Sequence, residues 1–577
     1  MEQHKKDCSC GCKSDIPDGM PRREFLKKAG AATVGLGLAP MASFSMLGED
    51  RAADLLKSKV LAGGKAQRIT LLHTSDIHGQ VKVHDEFFWE NGKAVFKKRG
   101  GFAHLKTMID GLRAQNPNTL LLDGGDCFQG SGIASLTQGE ALVPLMNHLK
   151  YDLVLPGNWE VAYGKQRLIR DFNAYQAKKL CANMFHDDAA AELMFPPYSI
   201  FTLGGVKIGF IGYNDPLTPV RQSPDYSRGI KFCGPEENIA KYISLLRGQE
   251  KCQLVFVMSH MGLAQQLNLA SQPYAEGVDY ILGADTHERI REPLQGKYSK
   301  VTEPGAFASF VGKLEVVVEN GKIKEESYAL LEVDPEKYRE EPEMKRLIHQ
   351  VSQPFEQQLD RVVGKTKTTL MRYFVLETPM DNMITDALMW KFNVDVVISN
   401  GFRFCPPLYV KEGETADITM DYLYSMIPVD SQVIMADVTG QQLRDWLEKE
   451  LENVFAKDPT RRLGGWLVRF QGMRIRFTIA KETGSRLEEV LIKGQVLEAA
   501  KVYKVVSCER EGDPDSLLCR IKSVKNNHRL GTTMYKVMEE YFSEHSPVSP
   551  KLESRVVATD AAPTLLTQVD GINYQFR

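Results

Sequence analysis

Between Ile69 and His287 one pattern recurs five times: a short run rich in Val, Ile and Leu, then a side chain able to hold a metal ion. Ile69–Ser75 runs into Asp76 and His78, Thr119–Gly125 into Asp126, and Tyr151–Gly157 into Asn158. Gln253–Ser259 ends at His260, and Val278–Ala284 at Asp285 and His287. Apolar runs of this length, closed by Gly or Asp, predict buried strands. Ligands of parallel α/β sheets gather beyond the carboxyl ends of the strands, so the five ends are expected to converge on one crevice. A single polar residue after a strand is commonplace; five in succession, two of them in the form Asp-x-His, change that judgement. Residues i and i+2 of an extended strand end point to the same side, so Asp76 with His78, and Asp285 with His287, are each expected to face the crevice. The set holds carboxylates, imidazoles and one amide, with no thiolate. It is too large for one tetrahedral ion and suits two divalent ions, zinc or manganese, sharing a bridging carboxylate.

After the strand Lys313–Val318 the chain turns acidic and polar through Asp334 to Glu343. Helix-like sequence then runs from Met344 to about Val362, and a second block of strands begins. The predicted class is α/β. Residues 68–335 form a sandwich of sheets covered by helices, 336–362 a linker helix, 363–556 a smaller α/β substrate domain, and 557–577 a tail on the surface or against the first domain. A chain of 577 residues suits two domains of ordinary size, and the cleft between them is the expected binding site. Arg403 follows the strand Asp395–Ser399, and its planar fork suits the oxygens of a phosphate or sulfonate.

Composition narrows the partners. A formal net charge of −2 carries no nucleic-acid footprint. Arg22 and Arg23, followed by Phe25, Leu26 and Lys27, have the form of a twin-arginine export signal within residues 1–48. The weakly apolar stretch Ala29–Ala42 is too short to remain as a membrane span. A periplasmic protein without a stable membrane anchor is expected, delivered by the twin-arginine export machinery. Cys8, Cys10 and Cys12 would leave with the leader, and the remaining seven cysteines are scattered and odd in number, so they form no disulfide framework. Cys508 and Cys519 are close enough in sequence to be bridged. Cys127, next to Asp126, reads as a buried structural thiol.

The five blocks Asp76-x-His78, Gly125-Asp126-x-x-Gln129-Gly130-Ser131, Gly157-Asn158-Trp159-Glu160, Ser259-His260 and Asp285-Thr286-His287 resemble the calcineurin-like metallophosphoesterases, and within them the 5'-nucleotidase superfamily. The resemblance continues through Asp381–Ala387 and Ser399–Arg403 and covers most of the chain after Arg68. Carried over, it implies that Asp76, His78 and His287 hold one metal ion, that Asn158, His260 and Asp285 hold a second, and that Asp126 bridges them. Asp285 stands where the family usually has His; aspartate is the harder ligand and would favour manganese over zinc at the second site. Asn158 and Arg403 would hold the oxygens of the group under attack.

Two departures bear on the reaction. The family's Gly-Asn block, third of the five here, is usually Gly-Asn-His-Glu-x-Asp, whose His and Asp assist the leaving group; here Trp159 and Ala162 stand in those places. An indole N–H can donate a hydrogen bond but carries no proton to a leaving alkoxide. The SoxB-type thiosulfohydrolases, which remove sulfate from a cysteine S-thiosulfonate on a carrier protein, show the same change, and Pro216-Leu217-Thr218-Pro219 resembles them too. The turn that precedes a base-stacking aromatic in true nucleotidases corresponds to Cys508–Asp515, where Pro514 interrupts it and no aromatic follows closely; base stacking needs a planar partner. Three functions are therefore expected to compete: 5'-nucleotidase-type hydrolysis of a small phosphomonoester that need not be a nucleotide, SoxB-like hydrolysis of a carrier-bound sulfur substrate, and metal binding without catalysis.

Overall fold

The computed structural model describes residues 66–567 and 569, so the leader with Arg22 and Arg23 lies outside the described residues. Five strands carry the candidate ligands: β1 (Gln67–Thr74), β2 (Thr119–Asp123), β3 (Leu153–Val154), β4 (Leu254–His260) and β5 (Tyr280–Gly283). Every residue of β2, β4 and β5 is buried, as near-continuous apolar runs in parallel sheets require. β1, β2 and β3 lie side by side and parallel in one six-stranded sheet. β4 and β5 are parallel neighbours in a second six-stranded sheet. Ile69, Leu71 and Leu121 from the first sheet share one core with Phe210, Phe256 and Leu282 from the second. The predicted sandwich is present, and the carboxyl ends of all five strands open on the same side.

Local differences have physical causes. The run Tyr151–Gly157 yields a strand of only two residues. Pro156 has no N–H to continue the ladder, and the chain turns away after Leu155 donates to the Asp123 carbonyl at 3.0 Å. The expected linker helix to Val362 is broken. A helix spans Pro342–Ser352, its start capped by the Glu341 carboxylate, and a second short helix occupies Glu356–Leu359. Pro354 lies between them, where it cannot supply a helical hydrogen bond.

The second half holds a five-stranded sheet, with Val396–Ser399 and Val502–Cys508 as parallel neighbours, and a separate four-stranded sheet. The helix Pro379–Phe392 opens with Thr378 capping Asp381 and packs Met383, Ile384 and Leu388 into the core. Val556–Ala558 pairs in parallel with Met473–Phe477, so a boundary at 556 cuts a strand. The segment expected as a tail packs on the second half, where Val375 donates to the Leu565 carbonyl at 2.9 Å.

A hairpin, Val83–Glu90 with Lys93–Gly100, fastens the halves together. Phe87 is fully buried and stacks on Tyr373 with centroids 4.8 Å apart, a burial that contributes about 1.5–3 kcal/mol. Beneath them Glu86 accepts from the Tyr373 hydroxyl and pairs with Arg289 at 2.6 Å. No helix of the described residues is long and apolar enough to cross a membrane.

Candidate metal centre

All seven expected side chains meet at the open end of the sandwich, but not by the extended geometry their spacing implied. Asp76, His78, Asp126, Asp285 and His287 have φ of 52°, 49°, 62°, 83° and 59°. Each lies beyond its strand, in the left-handed region that costs a residue with a Cβ about 1–3 kcal/mol. The turns are tied to one another. Asp76 and His78 donate backbone N–H groups to the carbonyls of Gly125 and Asp126, both at 2.8 Å, and the Asp285 N–H donates to the Asp76 carboxylate at 3.1 Å. His260 alone is still within its strand, as the last residue of β4.

The side chains form two groups that share Asp76: Asp76, His78 and His287, and Asp76, Asp126 and His260. His78 Nε2 lies 3.0 Å from His287 Nε2, and His287 Nε2 lies 3.4 Å from Asp76 Oδ1. Asp126 Oδ2 sits 3.1 Å from His260 Nε2 and 3.8 Å from His78 Nε2, a bridging position. Donors bound to one ion at about 2.0–2.2 Å stand about 3.3 Å apart, so these spacings fit. The hydrogen bonding fits as well. His78 and His260 direct Nδ1 to the carbonyls of Gln129 and Gly124, at 2.8 and 2.7 Å. A neutral imidazole that donates from Nδ1 presents a lone pair at Nε2. His260 Nε2 points at the Asp126 carboxylate in a fully buried position, where a proton or a metal ion could sit between them. Burial, with His287 alongside, holds the pKa of His78 down to about 4. At His260 burial opposes charge, yet the carboxylates of Asp126, Asp76 and Asp285 outweigh it and raise its pKa well above the ordinary imidazole value. A proton on His260 balances these carboxylates, and the two close donor groups are also of a kind that could hold metal ions in its place.

Glu160, quoted in the Gly157–Glu160 block without a role, organises the loops from below. Its buried carboxylate accepts from the N–H groups of Gly157, Asp126, Cys127 and Phe128, at 2.6, 2.8, 2.5 and 3.2 Å. It therefore locks the Asp126 turn against the Asn158 turn. Gly157 has to be glycine, because a Cβ there would lie 2.2 Å from Asp126 Oδ1. Cys127 is buried and donates to Asp123 at 3.3 Å, and burial raises its thiol well above the ordinary range, as a structural role requires. All seven described cysteines are free, so Cys508 and Cys519 are not bridged.

Trp159 is half-buried on the cleft wall. Its backbone N–H donates to Asp126 Oδ1 at 2.7 Å, and its ring meets Phe404 edge-on at 5.5 Å. Phe404 in turn stacks on His78 at 4.9 Å. The ring both packs and faces the site. Planar groups thus do line the cleft, from Trp159, Phe402 and Trp466 rather than from the stretch after Cys508. Trp159 and Phe402 are 6.2 Å apart and tilted by 57°, in contact with each other, so they leave no slot for a base between them.

Arg403 is buried, reaches the Asp285 carbonyl at 2.6 Å through Nη2, and leaves Nη1 buried without a partner. The residue that sequence reasoning missed is Arg221. It donates to both oxygens of Asp285, at 2.9 and 3.1 Å, and to Asp215 at 2.7 Å. Burial opposes ionisation of Asp285, but Arg221 and Arg403 outweigh it and hold its pKa at about 2. The available signal was Pro216-Leu217-Thr218-Pro219, which leads directly into the short helix Thr218–Arg221.

Comparison with known proteins agrees with this geometry. Residues 69–289 match the family "Calcineurin-like phosphoesterase", and residues 362–509 match "5'-nucleotidase, C-terminal domain". A 5'-nucleotidase of Vibrio cholerae serotype O1 is 25% identical over 535 residues, covering 84% of this chain and 92% of that protein. Two Thermus thermophilus structures share the fold. The sulfate thiohydrolase SoxB has a TM-score of 0.78 at 22% identity, covering 86% of this chain and 98% of its own. A 5'-nucleotidase precursor has a TM-score of 0.74 at 23% identity, covering 86% of this chain and 100% of its own. The two family matches in this order, on this fold, identify the chain as a metal-dependent hydrolase of the 5'-nucleotidase superfamily of calcineurin-like metallophosphoesterases.

Proposed function

We propose that the protein is an exported two-ion hydrolase acting on a phosphomonoester whose leaving group departs without a proton. The observation that carries the metal reading is the convergence of Asp76, His78 and His287, and of Asp76, Asp126 and His260, into two groups of close ligand atoms. In this assignment Asp76, His78, His287 and Asp126 would hold the first ion, and Asp126, His260 and Asn158 the second, with Asp285 beside it. Bound divalent ions supply a nucleophile at neutral pH and offset the charge that develops during attack.

The chain's own residues do the rest. Asp126 keeps the two sites in register, because Glu160 fixes its turn and the Trp159 N–H fixes its other oxygen. Arg403 offers Nη1 to an oxygen of the bound anion, at a point where its other nitrogen is already anchored on Asp285. Asn158 receives a hydrogen bond from Gln222 at 3.2 Å, which holds its amide at the cleft surface. Trp159 occupies the place of a proton donor and cannot protonate a leaving oxygen.

The same replacement supports a second reading, SoxB-like release of sulfate from a cysteine S-thiosulfonate on a carrier protein, since a thiolate also leaves without a proton. A substrate panel on the wild type tests both. Turnover of p-nitrophenyl phosphate, or of a sulfur-linked substrate, is expected to far exceed turnover of AMP. Equal rates on AMP and on the activated ester would return the chain to ordinary nucleotide hydrolysis. Export rests on the paired arginines. The doubly substituted chain, Arg22→Lys with Arg23→Lys, is expected to stay uncleaved in the cytoplasm, and its normal appearance in the periplasm would refute that route.

A further inference from the structure

We infer that Asp285 anchors a pair of arginines rather than a metal ion, so that the centre is asymmetric, with Arg221 closing the fourth side of the second site. The inference deepens the two-ion reading and rests on it.

The oxygens of Asp285 are already engaged. Oδ1 accepts from Arg221 Nη2 at 2.9 Å and from Asn158 Nδ2 at 3.0 Å; Oδ2 accepts from Arg221 Nη1 at 3.1 Å and from Arg403 Nη2 at 3.3 Å. A carboxylate gripped in a bidentate fork is held in a strong, geometrically defined pair, and one shared between two guanidinium groups has little charge left for an ion. Its distance says the same: Asp285 Oδ1 is 4.0 Å from His260 Nε2, whereas Asp126 Oδ2 is 3.1 Å from that nitrogen. Asp285 also belongs to neither cluster of close ligand atoms.

Arg221 is not a side chain free to swing aside for a metal. Asp215 holds it from behind at 2.7 Å, and Asp215 and Asp285 are both nearly fully buried. Gly464, at φ +80°, packs on the guanidinium so closely that a Cβ there would lie 2.8 Å from Nη2. Pro216 and Pro219 stiffen the turn that presents it.

Two consequences follow. The first site has four protein donors (Asp76, His78, Asp126 and His287), and the second has three (Asp126, His260 and Asn158) beside a fixed positive charge. The first ion is therefore held tightly and the second exchanges. The guanidinium pair of Arg221 and Arg403 supplies part of the positive charge that a second full ion site would otherwise give, and its planar N–H groups suit the oxygens of a tetrahedral anion.

Calorimetric titration of metal-free protein with Mn²⁺, with electron paramagnetic resonance to separate single from paired ions, tests this. The wild type is expected to show two steps whose dissociation constants differ by at least ~10²-fold. Arg221→Met, which frees Asp285, should tighten the second step by at least ~10-fold, while Arg221→Lys, which keeps the charge, should leave it weak. Asp285→Asn should retain both steps. Two steps of equal strength in the wild type, or loss of the second step in Asp285→Asn with an unchanged melting temperature, would overturn the inference and restore Asp285 as a ligand. Absence of any Mn²⁺ step in the wild type would instead sink the two-ion reading beneath it. Inorganic phosphate gives a second readout: protein with one Mn²⁺ should bind it, and Arg221→Met should weaken that binding by ~10-fold or more, because a fixed positive charge beside the anion is gone. Unchanged phosphate binding would remove Arg221 from the anion site.

Discussion

Asp126→Ala is expected to lower kcat on p-nitrophenyl phosphate by at least ~10³-fold, because metal-based charge stabilisation is worth several kcal/mol at the transition state and each 1.36 kcal/mol is a factor of ten. The oxygen it removes lies between His260 and His78, at 3.1 and 3.8 Å, and its partner oxygen receives the Trp159 N–H. The variant should lose both ions while keeping its fold, since the turn it leaves remains tied to Glu160 through the backbone N–H groups. Steady-state rates, metal content and thermal melting check the three parts together. An Asp126→Ala protein that melts normally, holds two ions and turns over at more than a tenth of the wild-type rate would remove Asp126 from its bridging place.

The convergence of these side chains was legible because burial on both faces makes the five strands continuous apolar runs, and a polar residue that ends such a run is conspicuous. What sequence spacing misjudged was how those residues reach the site. Asp76 and His78 face it through successive left-handed turns, a backbone state that sterics disfavour and only the surrounding hydrogen bonds enforce. Arg221 escaped notice for a different reason. It ends a helix of four residues, too short to carry a periodic pattern, and its partner Asp285 lies 64 residues away in the chain. The hairpin that joins the halves was equally hidden, since Phe87 finds Tyr373 across 286 residues of chain (373 − 87). The break near Pro354 and the short strand before Pro156 were readable from the prolines themselves, and the apolar pattern around them outweighed that signal.

Restoring the missing pair, Trp159→His with Ala162→Asp, is expected to raise AMP turnover by ~10²-fold, the usual scale of a positioned general acid, and to leave p-nitrophenyl phosphate nearly unchanged. The reason is chemical. Ribose departs through an alkoxide that gains from protonation, whereas a phenolate departs unaided. The backbone favours the experiment, because Ala162 donates its N–H to the Trp159 carbonyl at 3.1 Å and the two residues share one tight turn above Asp126. Trp159→His alone should give less, as the imidazole would lack the carboxylate that orients it and would lose the edge contact with Phe404. Equal gains on both substrates would show that the indole acts by crowding the cleft and not by withholding a proton.

Two divalent ions at one bridging carboxylate are the foundation on which the other expectations stand, and elemental analysis addresses them most directly. Mature protein purified without chelator, and kept in buffer with trace manganese, is predicted to carry close to two transition-metal ions per chain. Hydrolysis should disappear when they are stripped and return when manganese or zinc is restored. A protein that contains no stoichiometric metal, or that hydrolyses its substrate at full rate after complete stripping, would contradict the assignment of Asp76, His78, Asp126, Asn158, His260 and His287 as a metal centre.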